Sequence, residues 1–239
     1  MLVIGFNKAT RLLTYIVDTT KTYRATIRLG HNTTTDDADG EITQTRYANA
    51  VTKHDISTAI RHLTGSIQQV PSAVSAIKID GKRAYQRVRD GETVTIPARE
   101  VTVHRFDIED IRRANDGKTI DLDVEVECTA GTYIRALARD LGEALNTGGY
   151  LTALRRTAVG PYRIEDAVTM DQLAEHFRYT DLSAAVTQLF PTRTVSDQEA
   201  QDLMHGRRIA ASERPDLLAA TLHNGETIAL ITDAERNGT

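Results

Sequence analysis

The chain reads as an α+β protein: a mixed or antiparallel sheet flanked by helices, followed by a small C-terminal β domain. Three observations predict this. Residues 119–128 alternate strictly, with Leu122, Val124, Val126 and Cys128 set between Asp121, Asp123, Glu125 and Glu127, the mark of a strand with one wet face. Directly after it, Ile134, Leu137, Ala138, Leu141 and Leu145 follow helical spacing. Asp116-Gly117 and Asn224-Gly225 each separate two strand-like runs, which signals hairpins.

Taken in order, Asn7 to Val17 predicts a short helix with Ala9, Leu12, Leu13 and Ile16 inward. Tyr23 to Leu29 alternates as a strand, and His31 to Gly40 is a polar loop rich in Thr and Asp with a turn at Asp39-Gly40. Thr52 to Leu63 is a helix whose Ile56, Ala59, Ile60 and Leu63 share a face, with Gly65 just past its end. Pro71 opens an irregular stretch leading to a strand over Ala73–Ile79. Asp80-Gly81 then turns the chain into a basic helix that ends at Asp90-Gly91. Val101–Ile111 and Thr119–Cys128 make the first hairpin. Thr132 is placed to cap the next helix, and Leu151–Val159 returns as a strand.

After Pro161 the composition changes. Met170–Phe177 reads as a helix, and Pro191 marks a linker. Ser196 with Glu199 three residues on forms a capping box for a helix ending near Met204. Leu217–Leu222 and Thr227–Ile231 form the second hairpin.

The 239 residues are enough for one domain of ordinary size plus a smaller one. Trp is absent and aromatics are only 5% of the chain, so the core must rest on Ile, Leu, Val and Ala. A single cysteine excludes an internal disulfide framework and suits a reducing cytoplasm. No apolar run approaches a membrane span, the first residues lack the basic region of a signal peptide, and the His residues have no metal-ligand spacing. Neither a membrane nor a metal is therefore expected.

The net charge of -4 argues mildly against nucleic acid, but its distribution argues the other way. Lys78, Lys82, Arg83, Arg87 and Arg89 face only Asp80, with Tyr85 among them. Gly131 to Arg163 holds five Arg against Asp140 and Glu143, while Asp107 to Glu127 holds eight acids against three bases. This asymmetry suggests one basic face and one solvated acidic face. Any single basic run is also what an ordinary solvated helix face looks like.

The densest chemistry lies at the strand–helix junction, where Gly131-Thr132-Tyr133-Ile134-Arg135 offers a flat ring and a fixed cation beside a helix N-terminus. By pattern alone, such a Tyr and Arg usually just pack and snorkel. The segment from Gly131 to Gly142, however, resembles a signature of the bacterial TruB-type tRNA pseudouridine synthases. Other segments agree in order. Met1-Leu2-Val3-Ile4-Gly5 with Ala9-Thr10-Arg11-Leu12-Leu13 resembles the stretch after that family's catalytic loop, and Lys21-Thr22-Tyr23-Arg24-Ala25 its second motif. Gln69 to Lys78 and Gly81-Lys82-Arg83-Ala84-Tyr85 resemble the third, and Leu151 to Thr157 the end of its catalytic core. The resemblance covers essentially the whole chain.

That resemblance implies an isomerase that flips a uridine of the tRNA T-arm, at position 55, out of its stack and rebuilds it as pseudouridine without a cofactor. It implies a catalytic domain over residues 1–163, a connecting helical segment over 164–190 and a PUA-like RNA-binding domain over 191–239. By the same resemblance, Tyr23 stacks on the flipped base and relays a proton, Arg135 pairs with the nucleophilic aspartate, and Tyr133 and Leu154 line the cleft. Lys78, Lys82, Arg83, Tyr85, Arg155 and Arg156 contact RNA. The partner is the tRNA T-arm stem-loop, and a monomer is expected.

One departure matters. The family's nucleophile lies in a Gly-x-Leu-Asp-Pro loop, and no Asp of this sequence has that context. The expectation is therefore that the nucleophile belongs before Met1 and that the chain as it stands is inactive. The alternative is a non-catalytic tRNA-binding or RNA-folding protein. A further expectation is that Arg135 lacks a carboxylate partner, so its pocket is hydrated or unstable.

Overall fold

The computed structural model describes every residue except 73, 76, 77, 80, 84, 85, 88, 89, 91–94, 115, 215 and 234–239, and the backbone alone of 78, 79, 82 and 83. A 3₁₀ turn, Asn7–Leu12, runs into α1 (Leu13–Val17), followed by β1 (Lys21–Leu29), β2 (His31–Thr33), β3 (Ile42–Thr45), α2 (Lys53–His62) and β4 (Gly65–Gln69). Then come β5 (Lys78–Ile79), β6 (Lys82–Arg83), β7 (Arg99–Ala114), β8 (Thr119–Cys128), α3 (Ile134–Ala144) and β9 (Gly149–Val159). The last stretch holds β10 (Tyr162–Arg163), α4 (Met170–Glu175), α5 (Leu182–Leu189), β11 (Thr192–Thr194), α6 (Asp197–Met204), β12 (Leu218–Thr221) and β13 (Thr227–Ile231).

Two compact units result. Met1 and Asp18–Val159 make one, and Leu2–Val17 with Gly160–Thr239 make the other. In the first, the main sheet runs β9-β1-β8-β7-β4, with every neighbouring pair antiparallel. The central β8 keeps its predicted alternation: Leu122, Val124, Val126 and Cys128 are fully buried on one face. Ile56, Ala59 and Ile60 of α2 and Leu137, Ala138 and Leu141 of α3 join them in one cluster with Ile27 and Leu29 of β1. Each fully buried Leu or Ile contributes about 1.5–3 kcal/mol, which gives this face its cohesion. Thr52 caps α2 with a complete capping box through Asp55.

The opposite sheet face departs from the expected solvated acidic surface. Arginines on the flanking strands neutralise the β8 acids. Arg28 of β1 holds Asp121 with two bonds of 2.7 Å. Thr26 donates to Asp123 at 2.7 Å, and Arg105 of β7 donates to Glu125 at 2.6 Å and to Asp107 at 2.8 Å. Arg112 grips Asp123 and Asp110. The reason is register: a strand whose wet face is all acid sits between two strands that each bring cations opposite it, a pairing the strand's own sequence does not reveal.

Local expectations differ in further places. The stretch from His31 to Gly40 is not only loop, because its first residues form β2 and pair with β3 despite having no apolar alternation. Gly65 does follow the end of α2, and it also opens the edge strand β4. The helix read over Asn7–Val17 is 3₁₀ in its first half, with Asn7 at φ 51. Met170–Phe177 is helical only to Glu175. The strand read over Ala73–Ile79 is present at Lys78–Ile79, and Lys82–Arg83, read as the start of the basic helix, is strand β6 because it turns back to pair with β5, while other residues of both segments lie outside the described residues.

In the second unit, β11 pairs parallel with β12, and β12 antiparallel with β13 across the predicted Asn224-Gly225 turn. Gly225 has φ 87, which that turn requires. The Ser196/Glu199 capping box closes the N-terminus of α6. Val186 and Ala219 pack with Leu12, and Tyr15 meets Phe190 edge-on with ring centroids 5.0 Å apart.

Candidate functional site

The junction between β8 and α3 is held from outside its own sequence. Thr132 is not the cap. Tyr133 occupies that position without a side-chain bond, and its own backbone is clamped by Gln69, at the end of β4. The wholly buried Gln69 amide accepts from Tyr133 N at 2.8 Å and donates to Tyr133 O at 3.2 Å. A side-chain amide from another strand thus clamps the residue that opens the helix and fixes where Tyr133 and Arg135 leave the backbone. Arg99 sits over the Tyr133 ring, 5.9 Å from its centroid.

Arg135 has a carboxylate partner, which overturns the expectation of an unpaired cation. Its Nη1 donates to Asp37 Oδ2 at 2.9 Å and to the Thr35 carbonyl at 3.3 Å, and its Nη2 donates to the Val74 carbonyl at 2.8 Å. Both side chains of the pair are 24% exposed. The supply comes from the polar segment after β2. Asp36 adopts φ 60 and bends the chain, and Asp37 then bridges Leu151 of β9, which directs its carboxylate to α3. A segment read only as loop therefore carries a site residue. Its Asp-Asp pair was the signal available in sequence, but a loop carboxylate has no period that ties it to a distant helix.

Tyr23 lies on β1 opposite Arg156 of β9, and Ala25 lies opposite Leu154, so Tyr23, Leu154 and Arg156 occupy the α3 face of the sheet. Burial raises the Tyr23 phenol pKa above its ordinary value, while the charge and hydrogen bond of Arg156 oppose the rise. Leu154 is 48% exposed, an apolar side chain left open on that face. Arg156 donates to the Met1 carbonyl from Nε at 3.1 Å and Nη2 at 2.9 Å, and Arg155 is exposed. Lys78, Lys82 and Arg83 fall on β5 and β6, which pair as a short hairpin; their side chains and Tyr85 lie outside the described residues.

The α3 face of the sheet thus carries the half-buried Tyr23 ring and the open Leu154 side chain, and the first turn of α3 carries a guanidinium fixed by three acceptors. Among the described residues, no group of three or more His, Cys, Asp or Glu converges as a metal site, and no helix is long and apolar enough to cross a membrane.

Residues 1–134 match the TruB family pseudouridylate synthase N-terminal domain, 135–192 the tRNA pseudouridylate synthase B C-terminal domain, and 190–239 the tRNA pseudouridine synthase II C-terminal domain. The tRNA pseudouridine synthase B of Arthrobacter sp. (strain FB24) is 55% identical over 243 residues, covering 98% of this chain and 79% of that protein. The protein of the same name from Thermobifida fusca (strain YX) is 50% identical over 232 residues, covering 96% and 79%. Among solved structures, a Cbf5-Nop10-Gar1 complex superposes with a TM-score of 0.66 at 24% identity, over 95% of this chain and 64% of that one. At that identity the likeness concerns the fold, and this chain spans under two thirds of that structure's chain. With the family matched over residues 1–134 and relatives near half identical over almost the whole length, the chain belongs to the TruB family of pseudouridylate synthases.

Proposed function

We propose that this chain binds the T-arm of tRNA in the cytoplasm as a monomer and, once supplied with the nucleophilic carboxylate that its sequence lacks, isomerises the uridine at position 55 to pseudouridine. In this reading the uridine leaves its stack and lies against Tyr23, with Tyr133 and Leu154 lining the cleft. Flipping costs a few kcal/mol, which base–aromatic stacking of about 1–3 kcal/mol partly offsets. The bond from the ribose to the base nitrogen breaks, the base turns, and a bond to a base carbon forms. The proton displaced from that carbon passes to the Tyr23 phenol oxygen as the phenol's own proton leaves for the base nitrogen freed from the ribose, a relay that suits a phenol kept protonated by burial at neutral pH. Nothing is gained or lost overall, so no cofactor is required.

The observation that carries this reading is the anchoring of Arg135, held by Asp37, Thr35 and Val74 at the start of α3. A guanidinium fixed in that way is preorganised to orient a nucleophilic carboxylate and keep it ionised. Lys78, Lys82, Arg83 and Tyr85, with Arg155 and Arg156, make the RNA contacts, and the C-terminal unit over 191–239 adds a PUA-like RNA-binding surface. Phosphate contacts of this kind weaken single-strand-like binding by about 0.7 log units per contact for each tenfold rise in salt.

The test is a paired assay on unmodified tRNA. One sample is the 239-residue chain, and the other is the same chain preceded by a Gly-x-Leu-Asp-Pro segment. Conversion at position 55 only in the sample that carries that segment is the expected result, and conversion by the 239-residue chain alone overturns the expectation that its nucleophile is absent. Salt-dependent tRNA binding with no conversion in either favours the alternative of a tRNA-binding or RNA-folding protein, to which the lack of that motif in the sequence points. Absence of binding in both overturns the reading.

A further inference from the structure

Helix α3 carries a second arginine one turn beyond Arg135. Arg139 donates from Nη2 to the Val70 carbonyl at 2.7 Å and from Nη1 to Asp36 Oδ2 at 3.3 Å. The same Asp36 oxygen accepts from Ser72 Oγ at 2.5 Å. Asp140 accepts from Arg139 Nε at 3.0 Å and Nη2 at 2.7 Å. The side chains of Arg139, Asp36 and Asp140 are 18%, 15% and 23% exposed. Charges so far withdrawn from water persist only when paired, and here they pair with one another.

The geometry fastens residues 69–75 at four points. Gln69 bonds both backbone groups of Tyr133, Val70 bonds Arg139, Ser72 bonds Asp36, and Val74 bonds Arg135. Two adjacent acids, Asp36 and Asp37, are held by two arginines one turn apart on α3. Immediately after this stretch, β5 and β6 form the hairpin that bears Lys78, Lys82 and Arg83. Asp36 and Arg139 have no part in the base chemistry set out above, and their charges are spent on each other rather than offered to phosphate.

We propose that Asp36 and Arg139 are positioning residues that hold residues 69–75 on α3, so that the β5–β6 hairpin meets RNA from a fixed base. The inference rests on the RNA-binding reading given above. A tethered segment needs no ordering when RNA arrives, whereas a released one loses its freedom at that moment and weakens binding accordingly.

The test uses the full chain with Arg139→Gln, and with Ser72→Ala as a second variant that removes one tether without stranding a charge. Amide hydrogen exchange of the 69–83 peptide is measured in the free protein, and affinity for unmodified tRNA is measured across a salt series. The expected result for Arg139→Gln is exchange about tenfold faster and tRNA affinity about tenfold weaker, at an unchanged salt slope. Ser72→Ala moves both in the same direction by about threefold. Unchanged exchange overturns the proposal, as does faster exchange with unchanged affinity, which is a purely structural role. A salt slope lowered by about 0.7 would make Arg139 a direct phosphate contact and also overturn it. If the unaltered chain does not bind tRNA, the RNA-binding reading fails and takes this inference with it. If it binds and the variants match it, the inference alone fails.

Discussion

Asp37 accepts a hydrogen bond from Arg135 at 2.9 Å across 98 positions of sequence. The bond joins the turn after β2 to the first turn of α3, and Arg135 extends it to Val74 on a third segment. Removing the carboxylate leaves a largely enclosed cation with only carbonyl partners. Asp37→Ala is expected to lower stability by about 1.5–3 kcal/mol, the cost of a lost charged hydrogen bond. Asp37→Asn, whose amide oxygen still accepts, should lose less. Urea unfolding checks this: the midpoint moves while the slope stays constant.

Cys128 ends β8 fully buried, and burial pushes its thiol pKa up from 9.0 to about 11. A folded-state pKa above the unfolded one means that stability is intact below about pH 9 and falls as pH rises through about 11. At about 1.36 kcal/mol per pKa unit, the alkaline loss from this one group reaches about 2–3 kcal/mol. Cys128→Ala should be less stable at neutral pH, because it empties core volume, yet should lose less of its stability between pH 9 and 11. Unfolding free energies of the two proteins across that interval decide the matter.

The ladder of arginines on the other sheet face sets the acid limb. Hydrogen bonds from Arg105 hold the Glu125 carboxyl below its ordinary pKa, and those from Arg112 do the same for Asp123. A depressed folded pKa contributes stability above the unfolded value, near pH 4, that is lost as pH falls through the folded one. Arg105→Gln removes the largest part of that dependence for Glu125, which Arg24 also holds at 3.3 Å. It should leave neutral stability within about 1 kcal/mol, since these pairs are partly exposed. The acid midpoint of far-UV circular dichroism should then move to higher pH.

Gly142 lies inside α3, where Gly ordinarily costs about 1 kcal/mol relative to Ala. Here alanine is the worse residue, because its Cβ would overlap the Gly148–Gly149 peptide at the start of β9. Gly142 O also accepts from Thr147 N at 2.9 Å and Gly148 N at 3.1 Å, which closes the helix end against that strand. Gly142→Ala is expected to cost about 3 kcal/mol or more, since backbone rather than a flexible side chain must yield. The readout is the thermal unfolding midpoint, and a rise would reverse the reading.

What the amino-acid sequence determined by itself is whatever depends on neighbours along the chain. The β8 alternation, the apolar stripe of α3, the capping box at Ser196, and the turns at Gly117 and Gly225 were legible because their partners lie within a few residues. The motifs around Tyr23 and Arg135 were legible by resemblance, not by period. Only the tertiary structure decided that Asp37 answers Arg135, that Gln69 clamps the backbone of Tyr133 at the start of α3, and that arginines on β1 and β7 neutralise the acids of β8. The physical reason is common to all three. Each is a polar group whose desolvation is compensated by a partner brought to it by sheet register or by a loop crossing, and neither register nor crossing leaves a periodic trace in the sequence.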